Sequence, residues 1–295
     1  MELMVVIGIL ALLVAIVLPS ANALSRSAAT TLERSAARSL IGAWRSWSFD
    51  HDGQLIIGQV DSGDELPSHE APLQWNGTTI PDVARRRWMW RLISHLDNPV
   101  DTLWVNDLHQ FWQQQLTNTS DPSAAVYMAT LHSSFGLNAD YLGGRQSGDC
   151  DVWMLDQFIH SQDPSAPPLA ADTVSMLRRP ADLIAFASSR GRRGGGTETD
   201  ILEGFWRLET PYKPAAGSSQ PQWATTDTGE FIMPTAETDP AITGGFLSAR
   251  HNGRVLIAAP DGHVAVEPFE ALANMRRWAD QATDPLWCPS INSVR

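Results

Sequence analysis

Residues 3–18, LMVVIGILALLVAIVL, are apolar without interruption, follow Glu2 directly and stop at Pro19. A helix apolar on every side has to be covered all round, whereas a helix at a domain surface keeps one polar face. Sixteen residues at about 1.5 Å each make roughly 24 Å, somewhat short of the ~30 Å hydrocarbon core of a bilayer. A few further apolar residues upstream would close that gap. Leu3, Val5, Val6, Ile7, Leu10, Leu13, Ile16 and Leu18 line the run, so 1–20 reads as a transmembrane helix with Pro19 at its end. Glu2 is out of place at its head, because an acidic group in a membrane helix costs about 2.5–3.5 kcal/mol near the centre and persists where it has a partner. Three other readings meet obstacles. A buried core helix lacks the polar face. A signal peptide, suggested by Ala21, Asn22 and Ala23, lacks the basic leading region and has Glu2 in its place. A plain membrane anchor leaves Glu2 unexplained.

Helical patterning resumes after Pro19, so the proline is expected to kink the helix rather than end it. Leu24, Ala28, Leu32, Ala36, Leu40, Ala43, Trp44 and Trp47 recur at spacings of three and four, with Arg26, Thr30, Glu33 and Arg45 expected on the opposite face. Asp50, His51, Asp52 and Gly53 supply a stop. One long helix is expected: 1–20 in the membrane, and 21–52 as an amphipathic continuation docked on a globular domain. The region 53–245 is turn-rich and variable. A helix is expected over 83–96, a weaker apolar element over 151–159, a short β-compatible run over 181–187, and loops over 188–196 and 215–221.

The 246–295 region carries the clearest signals. Asn252 and Gly253 separate two strand-like runs, 246–251 and 254–259, and Asn-Gly suits the positive φ angles of a tight hairpin turn. Pro260, Asp261 and Gly262 turn the chain again into 263–267, which predicts a three-stranded antiparallel meander. Pro268 then opens a last helix over 269–282. The fold class is α+β.

The segment ELMVVIGILALLVAIVLP resembles the N-terminus of type IV prepilins and type II secretion pseudopilins, with Glu2, the β-branched run and Pro19 at that family's spacing. His251, nine residues, then Asp261 and Gly262 is similar to the His-x9-Asp-Gly signature of a planctomycete-type prepilin-like family. Weaker likenesses lie at 37–55, 88–96 and 134–138, where Phe135 replaces the family's tyrosine. The resemblance implies a pilin-like architecture, a long N-terminal α-helix packed on a C-terminal antiparallel sheet with a large irregular insertion. It implies a structural subunit of a type II secretion pseudopilus or type IV pilus-like filament. Such a subunit is held in the inner membrane by a single pass before assembly, with its C-terminal domain extracytoplasmic. Its partners would be other pilin or pseudopilin subunits, and a prepilin peptidase acting on a basic leader expected upstream of Met1. Glu2 would neutralise the N-terminal amine of a neighbouring subunit.

The rest of the composition adds limits rather than chemistry. A net charge of −12 argues against a nucleic-acid partner, including at the Arg- and Gly-rich stretch 188–196. Cys150 and Cys288 are a candidate disulfide if the domain is exported, worth about 5 kcal/mol in the chain-entropy description of so long a loop; two buried thiols are the alternative. Twelve tryptophans are expected chiefly as packing, though an exposed row of them would favour a membrane-tethered module that binds polysaccharide or a secreted substrate. No catalytic motif, metal-ligand spacing or cofactor fingerprint is present, and no enzyme activity is expected. His251, Asp261 and Gly262 read as structural: His251 and Asp261 fall at opposite ends of one strand, with His251 placed to cap backbone or touch the first helix. Asp149, Asp151 and Asp156 would gather an ion only if they converged.

Overall fold

The computed structural model describes residues 2–64, 66, 70–75, 77–144, 146, 151–166, 168–192, 200–215, 218–233 and 240–289, with backbone alone at 2–23, 151, 153, 214–215 and 218–220. Helix α1 runs from Glu2 to Asp50 and passes through Pro19 without a break. It ends where the sequence predicts. Asp52 enters the left-handed region (φ 54°), and the Gly53 N–H donates to the Ser48 carbonyl at 2.8 Å, closing the helix terminus on itself.

The buried face of α1 differs from the expected one. Ala36, Ala37, Leu40, Ile41, Ala43, Trp44 and Trp47 are buried, but Leu24 and Leu32 are 72% and 62% exposed and Ala28 is exposed too. Glu33, expected on the polar face, is 1% exposed. The reason is the helical period. Steps of four residues advance about 40° each, so a stripe drawn from Leu24 has turned roughly 120° by Ala36. Glu33 stands seven, eleven and fourteen residues before Leu40, Trp44 and Trp47, within about 40° of all three. Among the described side chains no helix is long and apolar enough to cross a membrane; the run 3–18 lies outside them.

The middle of the chain is more ordered than its turn-rich sequence suggests. A small hairpin, β1 (Gln74–Trp75) with β2 (Thr78–Thr79), leads to the short helices α2 (Asp82–Arg85) and α3 (Trp88–Leu92). These replace the single helix expected over 83–96. The break falls where Arg87 turns extended to bridge Gln59 and the Trp88 N–H donates to the Gly58 carbonyl at 3.0 Å. Helices α4 (Pro99–Leu103), α5 (Asp107–Asn118) and α6 (Pro122–Leu131) follow. Asp121 caps α6 by accepting from the Ala124 N–H at 3.0 Å, with Pro122 in the first turn. Then come β3 (Phe135–Leu137), α7 (Asp151–Gln162) and β4 (Phe186–Ser188). Parts of the two stretches expected as loops are paired strands, β5 (Arg190–Arg192) with β6 (Ile201–Glu203) and β7 (Tyr212–Ala215) with β8 (Ser218–Pro221), while 193–196 and 216–217 of those expectations lie outside the described residues. The chain closes with β9 (Arg254–Ala258) and β10 (Val264–Pro268).

The main sheet has the order β10-β9-β4-β3, with every neighbouring pair antiparallel. It therefore draws two strands from 53–245 and two from 246–295. Strand β9 is buried from Val255 to Ala258, so both its faces are covered. Leu256 and Ala258 pack with Trp44, Trp88 and Phe186 in one cluster, while Val255 and Ile257 pack with Phe269, Leu272 and Trp278 in the other. Helix α1 lies against β9, β10, α3 and α4. The general α+β class with antiparallel sheets is what the sequence pattern predicts.

Two expectations for the last fifty residues are corrected. The Asn252-Gly253 turn forms with both φ angles positive (58° and 76°), but 246–251 is not a third meander strand. Instead Leu247 bridges Ser189, just past the end of β4, while β9 pairs with β4 at Phe186 and Ala187. Both segments thus lie along one line beside 186–190, and the turn projects between them. The last helix is two 3-10 turns, Phe269–Ala273 and Met275–Arg277, separated by extended Asn274, whose side chain accepts from the Arg276 N–H at 3.0 Å. Phe269, Leu272, Met275 and Trp278 keep the spacing of three that the sequence shows, and all four are buried.

Candidate functional site

The signature residues His251, Asp261 and Gly262 stand at the two ends of β9, as the strand length requires, and both ends meet α1. At one end Arg250 and His251 close on Glu33. Arg250 Nε and Nη2 lie 2.7 and 2.5 Å from Glu33 Oε1, and His251 Nε2 lies 2.5 Å from Glu33 Oε2. The other imidazole nitrogen, Nδ1, is 3.2 Å from Thr30 Oγ1, one turn earlier on the same helix. At the far end, Arg45 Nη1 donates to the backbone carbonyl of Asp261 at 2.9 Å. Glu33 and Arg45 are twelve residues apart, about 18 Å of helix, and five-residue β9 with its short flanks spans a similar length. The nine-residue spacing is therefore the length of strand needed to reach two points on one helix.

Arg250 also joins the rest of the fold to this contact. Its Nη1 reaches Glu203 Oε2 at 2.7 Å on β6 and the Ser189 carbonyl at 3.1 Å, and its Nη2 donates to the Ser134 carbonyl at 3.2 Å. One guanidinium thus ties α1, the loop before β3, the end of β4 and the β5–β6 hairpin. Burial alone would push the Glu33 carboxyl up. The Arg250 charge, together with hydrogen bonds from His251 and Arg250, outweighs burial and lowers its pKa to about 2. Burial also opposes the Arg250 charge, but the neighbouring Glu33 and Glu203 carboxylates raise its pKa above the usual value. Glu33 is consequently held ionised and paired across ordinary pH.

Asp261 works locally. Its Oδ1 accepts from the His263 backbone N–H at 3.0 Å and lies 2.8 Å from His263 Nδ1. Slight burial is outweighed by these bonds and by the Arg45 charge, so its carboxyl sits below the usual range. Gly262 takes φ 101°, a conformation side chains rarely adopt, and a Cβ there would meet Arg45 Nη1 at 2.8 Å. His251 touches the first helix, one of the two roles its position suggests, and Asp261 and Gly262 make the turn.

Other residues singled out from the sequence do not gather here. Glu2, Leu3 and the remaining apolar positions through Pro19 lie on α1, with side chains outside the described residues. Cys150 and Asp149 also lie outside them, whereas Cys288 is half-buried in the C-terminal segment. Asp156 accepts from the Leu169 N–H at 2.7 Å, and among the described residues no group of His, Cys, Asp and Glu is arranged to hold a metal ion. Every tryptophan with a described side chain is buried or half-buried, so no exposed row is present among them. Sequence reasoning missed Glu33 and Arg45, both assigned to a polar face. The period from Leu40 back to Glu33 was the signal for the first. It also left Asn138 without a role. This fully buried side chain donates to the Ile184 and Trp278 carbonyls at 3.0 and 2.8 Å and pins the chain after β3 to the C-terminal turns.

Comparison with family models, with curated proteins and with solved structures yields no match for this chain.

Proposed function

We propose that this chain is a pilin-like structural subunit of a type II secretion pseudopilus or type IV pilus-like filament. In this reading it is held in the inner membrane by residues 3–18 before assembly, with the globular domain extracytoplasmic. The carrying observation is the clamp: the one strand that ends in His251 and Asp261 holds α1 at Glu33 and at Arg45, so the first helix is an integral part of the domain. A helix rigidly joined to its domain transmits the position of an embedded N-terminal half to that domain, which is the mechanical requirement of a filament subunit. The partners are other pilin or pseudopilin subunits and a prepilin peptidase, and the role is mechanical rather than enzymatic.

Glu2 supplies the test. Glu2→Ala is expected to leave the protein folded and membrane-bound while abolishing its incorporation into sheared or purified filaments. Incorporation of the variant at the parental level would reject the assembly role.

A further inference from the structure

Charge is divided between the two sides of α1. From residue 24 to residue 49 the helix carries Arg26, Arg34, Arg38 and Arg45, all exposed, while the carboxylate in that span, Glu33, is buried against Arg250. Arg34, Arg38 and Arg45 follow at steps of four and seven residues, so they fall within about 40° of one another in a row about 17 Å long. This flank is the one beside β9, since Arg45 donates to the Asp261 carbonyl. Arg34 and Arg38 have no ion-pair partner among the described residues.

The other flank is acidic. Residues 97–131, which hold α4, α5 and α6, contain Asp97, Asp101, Asp107 and Asp121, all exposed, and no lysine or arginine. Helix α4 packs on α1, and the groove between them is lined by Leu32, Ser35 and Ser39 on one side and by Asp101 on the other. Asp107 lies beside the preceding turns, lining a second groove with Ala29 and Glu33. Leu32 and Ser39 point about 130° round the helix from the arginine row. The two charged flanks therefore stand at one height along α1, on opposite sides of it.

We propose that the arginine row of one molecule docks on the acidic flank of a second copy of this chain. This rests on the filament reading, for which it names the faces that meet. A contact between two unlike faces leaves one of each unfilled, so it repeats from copy to copy instead of closing as a pair. Because both flanks lie at the same height, neighbours meet with their first helices side by side and pointing the same way. The net charge of −12 makes other approaches between like molecules repulsive, which favours the orientation that joins opposite charges. Membrane lipid is a poorer occupant for the row. Arg34 lies sixteen residues past Leu18, about 24 Å of helix, whereas the headgroup layer is about 5–8 Å deep.

The test follows the full chain by sedimentation velocity in a zwitterionic detergent and by its recovery from sheared filaments in the host. Two variants each reverse one flank at exposed positions: Arg34→Asp with Arg38→Asp, and Asp97→Arg with Asp107→Arg. Arg45 and Asp101 stay, since each bonds within its own fold. The parent should self-associate at about 50 mM salt, and at least tenfold more weakly at about 500 mM, where charges are screened. Each variant alone should associate at least tenfold more weakly than the parent, with circular dichroism unchanged. An equal mixture of the two should recover, because the reversed flanks complement one another. If reversal unfolds the chain, Arg34→Gln with Arg38→Gln carries the same test, with an expected loss of at least fivefold. Three results would each overturn the proposal. One is a parent that stays monomeric up to about 1 mM. Another is a pair of variants that associate like the parent, and the third is a mixture that does not recover. Entry of both variants into filaments at the parental level would reject this contact and leave the filament reading standing. Recovery in the mixture, with no entry of the parent into filaments, would keep the contact and reject the filament reading.

Discussion

The two ends of β9 hold the same helix by opposite means. At the Glu33 end the contact is ionic, buried and shared among four elements through Arg250; at the Arg45 end it is a single side chain reaching an exposed backbone turn. Burial makes the difference. A charge pair taken out of water is strongly coupled and costly to break, because removing one partner strands the other. A side chain bonded to a solvated carbonyl is replaced by water at little cost. The first end sets whether the helix is docked. The second sets the angle at which the turn meets it.

Breaking the buried end should have the largest effect. Arg250→Ala leaves the buried Glu33 carboxylate with His251 as its remaining partner, and should destabilise the domain by about 3–5 kcal/mol, read from thermal or denaturant melts. A smaller stability change in Arg250→Ala than in Arg45→Ala would reverse the assignment of the two ends.

Acid should distinguish the ends without mutation. The Glu33 carboxyl is lowered from 4.5 to about 2 in the folded protein, so its stabilisation is fully present above about pH 4.5 and is lost as the pH falls toward 2. At ~1.4 kcal/mol per pH unit this amounts to about 3 kcal/mol. Glu33→Gln should be less stable at neutral pH and should flatten the stability profile across that window. A parental profile that is already flat between pH 5 and 2.5 would contradict the ionised, paired state of Glu33.

The exposed end should respond more weakly. Gly262→Val forces a branched side chain to φ 101° and toward the Arg45 guanidinium, and should cost about 1 kcal/mol or more. Smaller still are Arg45→Ala and Asp261→Ala, at about 0.5–1 kcal/mol each by loss of one or two turn hydrogen bonds. With the two ends about 18 Å apart along α1, Arg45→Ala and Arg250→Ala should add to within about 0.5 kcal/mol in the double variant. A larger coupling would mean that the two contacts form cooperatively through β9 rather than independently.

Legibility in the sequence tracks the range over which each signal acts. The stop of α1 at Asp50 and Gly53 and the positive φ angles of Asn252 and Gly253 depend on neighbouring residues and are as read, though the turn joins no hairpin. The spacing of His251 and Asp261 could be read as two ends of one strand, because strand rise per residue is fixed. That both ends would land on α1 was not readable, nor was the pairing of β9 with β4 in place of its own sequence neighbours. Arg190 and Ser188 sit in a stretch that looks like a solvated loop, yet both are buried, since Ser188 ends β4 within the sheet and Arg190 begins β5.

Local chemistry, then, was determined by the chain alone: an unbroken apolar run headed by an acid, a helix with a marked end, turns that demand positive φ, and an α+β class with antiparallel pairing. These follow from backbone geometry and side-chain period, which act within a few residues. Only tertiary structure decided the partners. Glu33 reads as a surface charge until Arg250, more than two hundred residues away, is folded against it, and a buried carboxylate is tolerable only because that particular cation arrives.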